Sequence, residues 1–254
     1  MWRPLNTAKR WLAGPPRVGP GPLRVAVVTP YCDEPLDVLS QCHESVRAQS
    51  HPCLHVMVAD GNPRNEVRSW SADHIILPRP HNDFGSAARL IGCLHAIGAG
   101  CNALAFLDAD NWYDPAHIST LAELYRATGA GFLASSRQLC RLDGSVVGPC
   151  TKTDIRRFID TSCMMFTPSA FPILSHWVRM PDYGHVIGDR ILLYHIGEAG
   201  IRRAFSGKPT LFFRASREGF YRSIGEPAPA GARPSPDYRS AFMRWIDDGH
   251  PPLA

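Results

Sequence analysis

From Arg24 onward, short apolar runs alternate with amphipathic stretches. Residues 25–28 form an apolar run halted at Thr29-Pro30, which predicts a short buried strand. Leu36, Leu39, His43 and Val46 then recur at helical spacing behind Asp33-Glu34-Pro35, a helix start with proline at the first helical position. Residues 55–59 and 75–77 predict a second and third strand. Phe84, Ala87, Ala88, Ile91, Leu94 and Ile97 trace another helix, closed by Gly98 and Gly100. Residues 103–107 predict a fourth strand. Asp114-Pro115 predicts the next helix, with Asp114 as its cap and Ile118, Leu121, Leu124 and Tyr125 as its buried stripe. This alternation argues for an α/β fold: a mostly parallel sheet wrapped by helices.

Beyond residue 130 the alternation loosens. Residues 131–141 and 146–147 predict strands around an Asp143-Gly144 turn, and residues 163–166 and 210–214 predict two more. Residues 187–196 predict an apolar helix. The expected organisation is an irregular Pro/Gly-rich lead-in over 1–23, a domain over 24–215 with halves 24–115 and 116–215, and a Pro-rich tail over 216–254 with a short helix near 238–246.

Composition narrows the function classes. The formal charge of +4 is spread without a basic block, which argues against a nucleic-acid surface but suits an anionic ligand. The eight cysteines are dispersed and form no CxxC pair, so a zinc site is not expected. No apolar h-region follows Arg3, Lys9 and Arg10, and no apolar stretch is long enough to span a bilayer. The expectation is a cytoplasmic protein with reduced thiols. The Trp2/Trp11 segment leaves a peripheral contact with the inner membrane face as a further expectation.

In an open parallel sheet, ligands sit outside the carboxyl ends of the strands. Thr29 and Tyr31 follow the first predicted strand, Asp60 the second, and Asp108 and Asp110 the fourth. Two carboxylates as close as Asp108 and Asp110 repel each other, and a divalent cation relieves that repulsion. Oxygen ligands of this kind suit magnesium or manganese. The alternative is a turn and a helix cap with no metal. The position after a buried strand, with Asp60 and Thr29 at neighbouring strand ends, favours the metal.

Taken in order, these motifs resemble the family 2 glycosyltransferases of the GT-A fold. The matching residues are 25–31, the stretch Val56 to Asn62 containing Asp60-Gly61, residues 81–89 with Gly92 and Ala96, the stretch Phe106 to Pro115, and Ile187-Gly188-Asp189-Arg190. The resemblance covers residues 24–215 and implies a GT-A nucleotide-diphospho-sugar transferase fold, with a small antiparallel part on the acceptor side. It implies that 24–115 binds the nucleotide-sugar and that 116–215 carries acceptor and catalytic groups. It implies that Thr29 and Tyr31 hold the nucleoside, with Tyr31 packing on the base, and that Asp60 accepts the uracil imino hydrogen. Arg89 would sit by the base or diphosphate. Asp108 would contact ribose and, through water, the metal; Asp110 would bind the metal directly; and Asp189 would be the catalytic base of an inverting transfer from a UDP-sugar. The acceptor, whether a glycan, a lipid-linked sugar or a small molecule, is not readable from residues.

The family's base motif is often Glu-Asp, whereas here it is Gly188-Asp189, with Asp160 and Asp182 as rival bases. Many relatives supply a later histidine to the metal. His195 falls in the apolar helix, where a core role is expected, and His250 lies in a Pro-flanked tail. Trp112, Tyr113, Trp177 and Tyr183 are expected to pack, with stacking on a sugar as the alternative. A nucleotidyltransferase would need a Gly-rich basic loop after the first strand, which Thr29 to Pro35 lacks. The competing reading is a degenerate transferase that binds nucleotide-sugar without turnover.

Overall fold

The computed structural model describes residues 22–253. Nearly all of the expected lead-in, and the Trp2/Trp11 contact, lie outside the described residues. The first half is built from β1 (Val25–Tyr31), α1 (Leu36–Arg47), β2 (Cys53–Asp60), β3 (Asp73–Leu77), α2 (Ser86–Gly98) and β4 (Ala103–Phe106). These four strands are all parallel, in the order β3-β2-β1-β4. Every residue of β1 is buried, which is why it reads as a continuous apolar run: a central parallel strand is covered on both faces.

The second half comprises β5 (Trp112–Tyr113), α3 (His117–Thr128), β6 (Phe132–Cys140), β7 (Val146–Pro149), β8 (Met164–Phe166), α4 (His176–Arg179), α5 (Gly188–Glu198), β9 (Arg203–Arg214), α6 (Glu218–Ser223) and α7 (Tyr238–Asp247). The sheet continues from β4 through β8, β6 and β9 to β5, with β7 paired to β6. Here β8 is antiparallel to both its neighbours, whereas β6 and β9 are parallel. The late strand expected over 210–214 begins much earlier, at Arg203, because its first residues pair with Phe132 to Ala134.

The expected Asp114 cap is displaced. Helix α3 starts at His117 with no side-chain cap, and Asp114 Oδ1 instead accepts the Ala116 N–H at 2.8 Å, closing a tight turn one residue before the helix. Helix α7 does carry a side-chain cap, Asp237 accepting from Ser240 N–H at 3.0 Å. Its Trp245 is buried, stacked on His250 with ring centres 3.8 Å apart. The eight cysteines carry free thiols. No helix among the described residues is long and apolar enough to cross a membrane.

One glycine sets how closely α2 approaches the sheet. A β-carbon at Gly92 would lie 2.5 Å from Val28 Cγ1 and 3.0 Å from Val58 Cγ2, both fully buried side chains. Gly92→Ala should therefore destabilise the fold by about 1–3 kcal/mol, the usual scale of overpacking in a rigid core. Equilibrium urea unfolding measures this, and an unchanged midpoint would show that the helix can lift at no cost.

Candidate active site

The strand ends converge as the parallel sheet requires. A cavity of about 340 Å³ lies over β1, β2 and β4, bordered by Asp60, Arg89, Asp108 and Asp110. A second, of about 530 Å³, is bordered by Arg137, Asp160, His185 and Asp189. Phe84, Arg89, Asp108, Phe213 and Tyr238 belong to both, so the two are one crevice with a narrow middle.

The narrow middle is an ion pair. Arg89, buried on the first turn of α2, binds Asp108 Oδ1 through Nη2 and the Phe84 carbonyl through Nη1 at 2.6 Å. Its guanidinium carbon also lies 5.1 Å from the centre of the buried Trp177 ring. The Phe84 backbone has φ 56°, a left-handed conformation costing a non-glycine residue about 1–2 kcal/mol, and its ring is half exposed beside Arg89. Strain of this kind persists where surrounding structure holds it, and it concentrates at sites.

Asp110 sits on the wall of the first cavity. Its Oδ2 meets Arg233 Nη2 at 3.4 Å and Ser216 Oγ at 3.5 Å. Burial pushes its pKa up to about 7, with Asp108 and Glu34 adding to the rise and Arg233 opposing it. Among the described residues no group of three or more His, Cys, Asp or Glu is arranged to hold a metal. The hard oxygens of Asp110 fit magnesium or manganese, provided that ligand and water oxygens complete the shell.

Asp60 ends β2 and is gripped by His81. The ring Nδ1 lies 2.5 Å from Oδ1, and the backbone N–H donates to Oδ2 at 3.1 Å. Thr29 and Tyr31 are not presented as their order in the chain suggested. Thr29 is fully buried, its hydroxyl 2.9 Å from His55 Nε2, and it does not border the cavity. Tyr31 borders the cavity, but its ring is buried among Leu39, Met57 and Ala109; its hydroxyl meets His74 Nε2 at 2.8 Å and accepts the Arg64 N–H at 3.0 Å.

In the second cavity Asp189 opens α5, half buried, with Oδ1 accepting its neighbour's N–H from Arg190 at 2.8 Å. Burial, and then Asp160, raise its pKa to about 6. Asp160 is committed elsewhere, to Arg137 and to the Ser162 N–H at 3.0 Å. Asp182 is exposed and borders neither cavity. A β-carbon at Gly188 would meet Met180 Sδ at 3.2 Å and Trp177 at 3.6 Å, so packing leaves little room for a second carboxylate there.

Trp177 is core, edge-on to Phe106 with ring centres 5.9 Å apart, and Trp112 stacks on Phe212 at 5.3 Å. His195 is half buried and stacked on His176, with ring centres 3.6 Å apart, away from both cavities. Sequence reasoning missed Arg137, Arg217, Arg233 and Tyr238. Arg137 carried a signal, a charge in the middle of a predicted strand; it lies between Phe158 and Phe213, 5.0 and 4.2 Å from their ring centres. Arg233 carried none, lying in a Pro-rich stretch. It is pinned by backbone hydrogen bonds from its own N–H to Ser216 O (2.8 Å) and from the Glu218 N–H to its carbonyl (3.0 Å).

A family model described as glycosyl transferase family 2 matches residues 26–185. Among solved structures, S. aureus TarS 1-349 in complex with UDP is similar over 80% of this chain and 63% of its own, at 13% identity and TM-score 0.60. S. aureus TarS is similar over 80% of this chain and 38% of its own (12%, 0.59), and TarS 1-349 in complex with UDP-GlcNAc over 80% and 64% (11%, 0.56). The chain thus spans less than two thirds of these TarS chains. At these identities the likeness establishes the fold, that of GT-A glycosyltransferases. No curated protein matches the chain.

Proposed function

The chain belongs to glycosyl transferase family 2, and from that premise we propose that it moves a sugar from a UDP-sugar to an acceptor hydroxyl, inverting the anomeric centre. The observation that carries this reading is the shared middle of the crevice. Asp110 lies on one side of the Arg89–Asp108 pair and Asp189 on the other. A donor in the first cavity and an acceptor in the second would bring the anomeric carbon and the attacking hydroxyl together at that junction. The UDP and UDP-GlcNAc complexes of TarS support a uridine donor.

Each residue then has a task. Asp60, held in one orientation by His81, accepts the imino hydrogen of the base. Asp108, fixed by Arg89, contacts the ribose. Thr29 and Tyr31 act from behind, by setting the end of β1, and Phe84 offers the apolar face first assigned to Tyr31. As the hydroxyl oxygen bonds to the anomeric carbon, its proton passes to Asp189 and the bond to the diphosphate breaks. A pKa near 6 leaves Asp189 ionised at neutral pH yet basic enough to take that proton. Asp110 would hold magnesium or manganese, with Asp108 reaching it through water. Such an ion, when bound, supplies positive charge to the departing diphosphate.

The first test is donor hydrolysis. Slow UDP release from a UDP-sugar is expected in manganese, falling by about a hundredfold or more with a chelator. Equal release with and without chelator would remove the metal from the reading. The second reading, binding without turnover, draws on the Arg233 contact that already occupies Asp110 and on the single carboxylate at 188–189. It predicts saturable UDP-sugar binding with no UDP released under any metal condition.

A further inference from the structure

A third cavity, of about 750 Å³, adjoins the other two. It shares Phe213 and Tyr238 with both, Arg137 with the second, and Ser216 and Arg217 with the first. Its walls carry four cationic side chains, Arg137, Lys152, Arg217 and Arg222, and no carboxylate. Arg137 is neutralised by Asp160. The other three make no ion pair among the described residues. Among the described residues the Arg217 guanidinium donates to a neutral group, the Pro234 carbonyl at 3.0 Å. Its pKa is lowered by burial and then by the adjacent Arg233.

Like charges gathered in a partly closed space repel, and low-dielectric walls focus their field. An anion between them relieves the repulsion and gains charge-assisted hydrogen bonds. Cys150 in this wall lies in the field of Arg137. Burial raises its thiol pKa, but Arg137 and hydrogen bonds bring the net value below the ordinary thiol range. Thr151 adds a neutral hydroxyl donor.

We infer that this third cavity binds an anionic group, of the phosphate, sulfate or carboxylate class, carried by the acceptor some bonds away from the hydroxyl that faces Asp189. The acceptor assignment rests on the transferase reading; the cavity's preference for an anion does not. The rival source of negative charge is the donor's own diphosphate, because Arg217 also borders the first cavity.

Inorganic phosphate is the probe, titrated into protein saturated with UDP and followed by calorimetry or by protein NMR shifts. The comparison is with Lys152→Gln/Arg222→Gln, two exposed positions outside the donor and base cavities. Phosphate should bind the wild type with UDP in place, and at least about tenfold more weakly in the double variant, the scale of losing charged hydrogen bonds. UDP affinity should be equal in both proteins. Phosphate binding that vanishes once UDP is present would give the cavity to the diphosphate and overturn the inference. So would equal phosphate binding by variant and wild type, or none at all. Failure of UDP to bind would count against the donor reading alone, and the phosphate comparison without UDP would still decide the anion site. In an acceptor array of sugars with and without a phosphate ester, turnover should be confined to the phosphorylated partners. A neutral sugar used with equal kcat/KM overturns the acceptor assignment.

Discussion

Asp110→Ala should lower metal-dependent UDP release and sugar transfer by about 100- to 1,000-fold, the scale of removing one preorganised stabiliser of a developing anion. Asp110 is a partly buried carboxylate whose pKa of about 7 reflects desolvation and the fields of Asp108 and Glu34. It gains from a cation, and its only ion-pair partner among the described residues is the half-exposed Arg233 at 3.4 Å. Removing it costs the fold little, so thermal unfolding should stay close to wild type. UDP affinity should fall to the value seen with chelator, while affinity for uridine, which lacks the diphosphate, stays unchanged. A variant that still binds UDP more tightly in manganese than in chelator would take the metal away from Asp110.

The second large effect is at Asp189. Asp189→Asn should leave UDP affinity intact and lower sugar transfer by about 100- to 10,000-fold, the range general-base catalysis supplies. The pH dependence follows from its environment. Burial and Asp160 raise the Asp189 pKa to about 6, so the basic form is lost as pH falls through about 6. Transfer by the wild type should rise with pH across that region and level off above it. The asparagine variant should lose that rise, because the amide does not titrate. Comparable rates for the two proteins, or an unchanged rise in the variant, would move the base elsewhere. Asp160 is then the next residue to replace, although Arg137 already holds its carboxylate.

The first half of the fold was legible because its signals are local. Each of β1, β2 and β4 is an apolar run ended by a turn residue or an acid, and each helix shows its own period. The convergence of Asp60, Asp108 and Asp110 followed from parallel topology. The direction in which Thr29 and Tyr31 point did not. A strand buried on both faces has no polar alternation to say which side a residue faces, so order along the chain placed both at the crevice and only packing turned them inward. Asp114 misled for a different reason: an aspartate before a proline serves a turn as well as a cap, and here the turn won. The third cavity was invisible because its walls come from β6, the 149–152 loop and the segment after β9, which only long-range pairing joins.

The stretch from Glu226 to Asp237 contains four prolines, at 227, 229, 234 and 236. Proline restricts the unfolded chain more than the folded one, so ordering such a segment forfeits less conformational freedom than ordering a glycine-rich segment of the same length. This helps the hydrogen bonds of Arg233 to Ser216 and Glu218 keep it at the rim of the crevice, 123 residues from Asp110 along the chain. The covalent rings add stiffness to that of the contacts. Exchanging these prolines for glycine would loosen the rim without altering any side chain that faces a ligand.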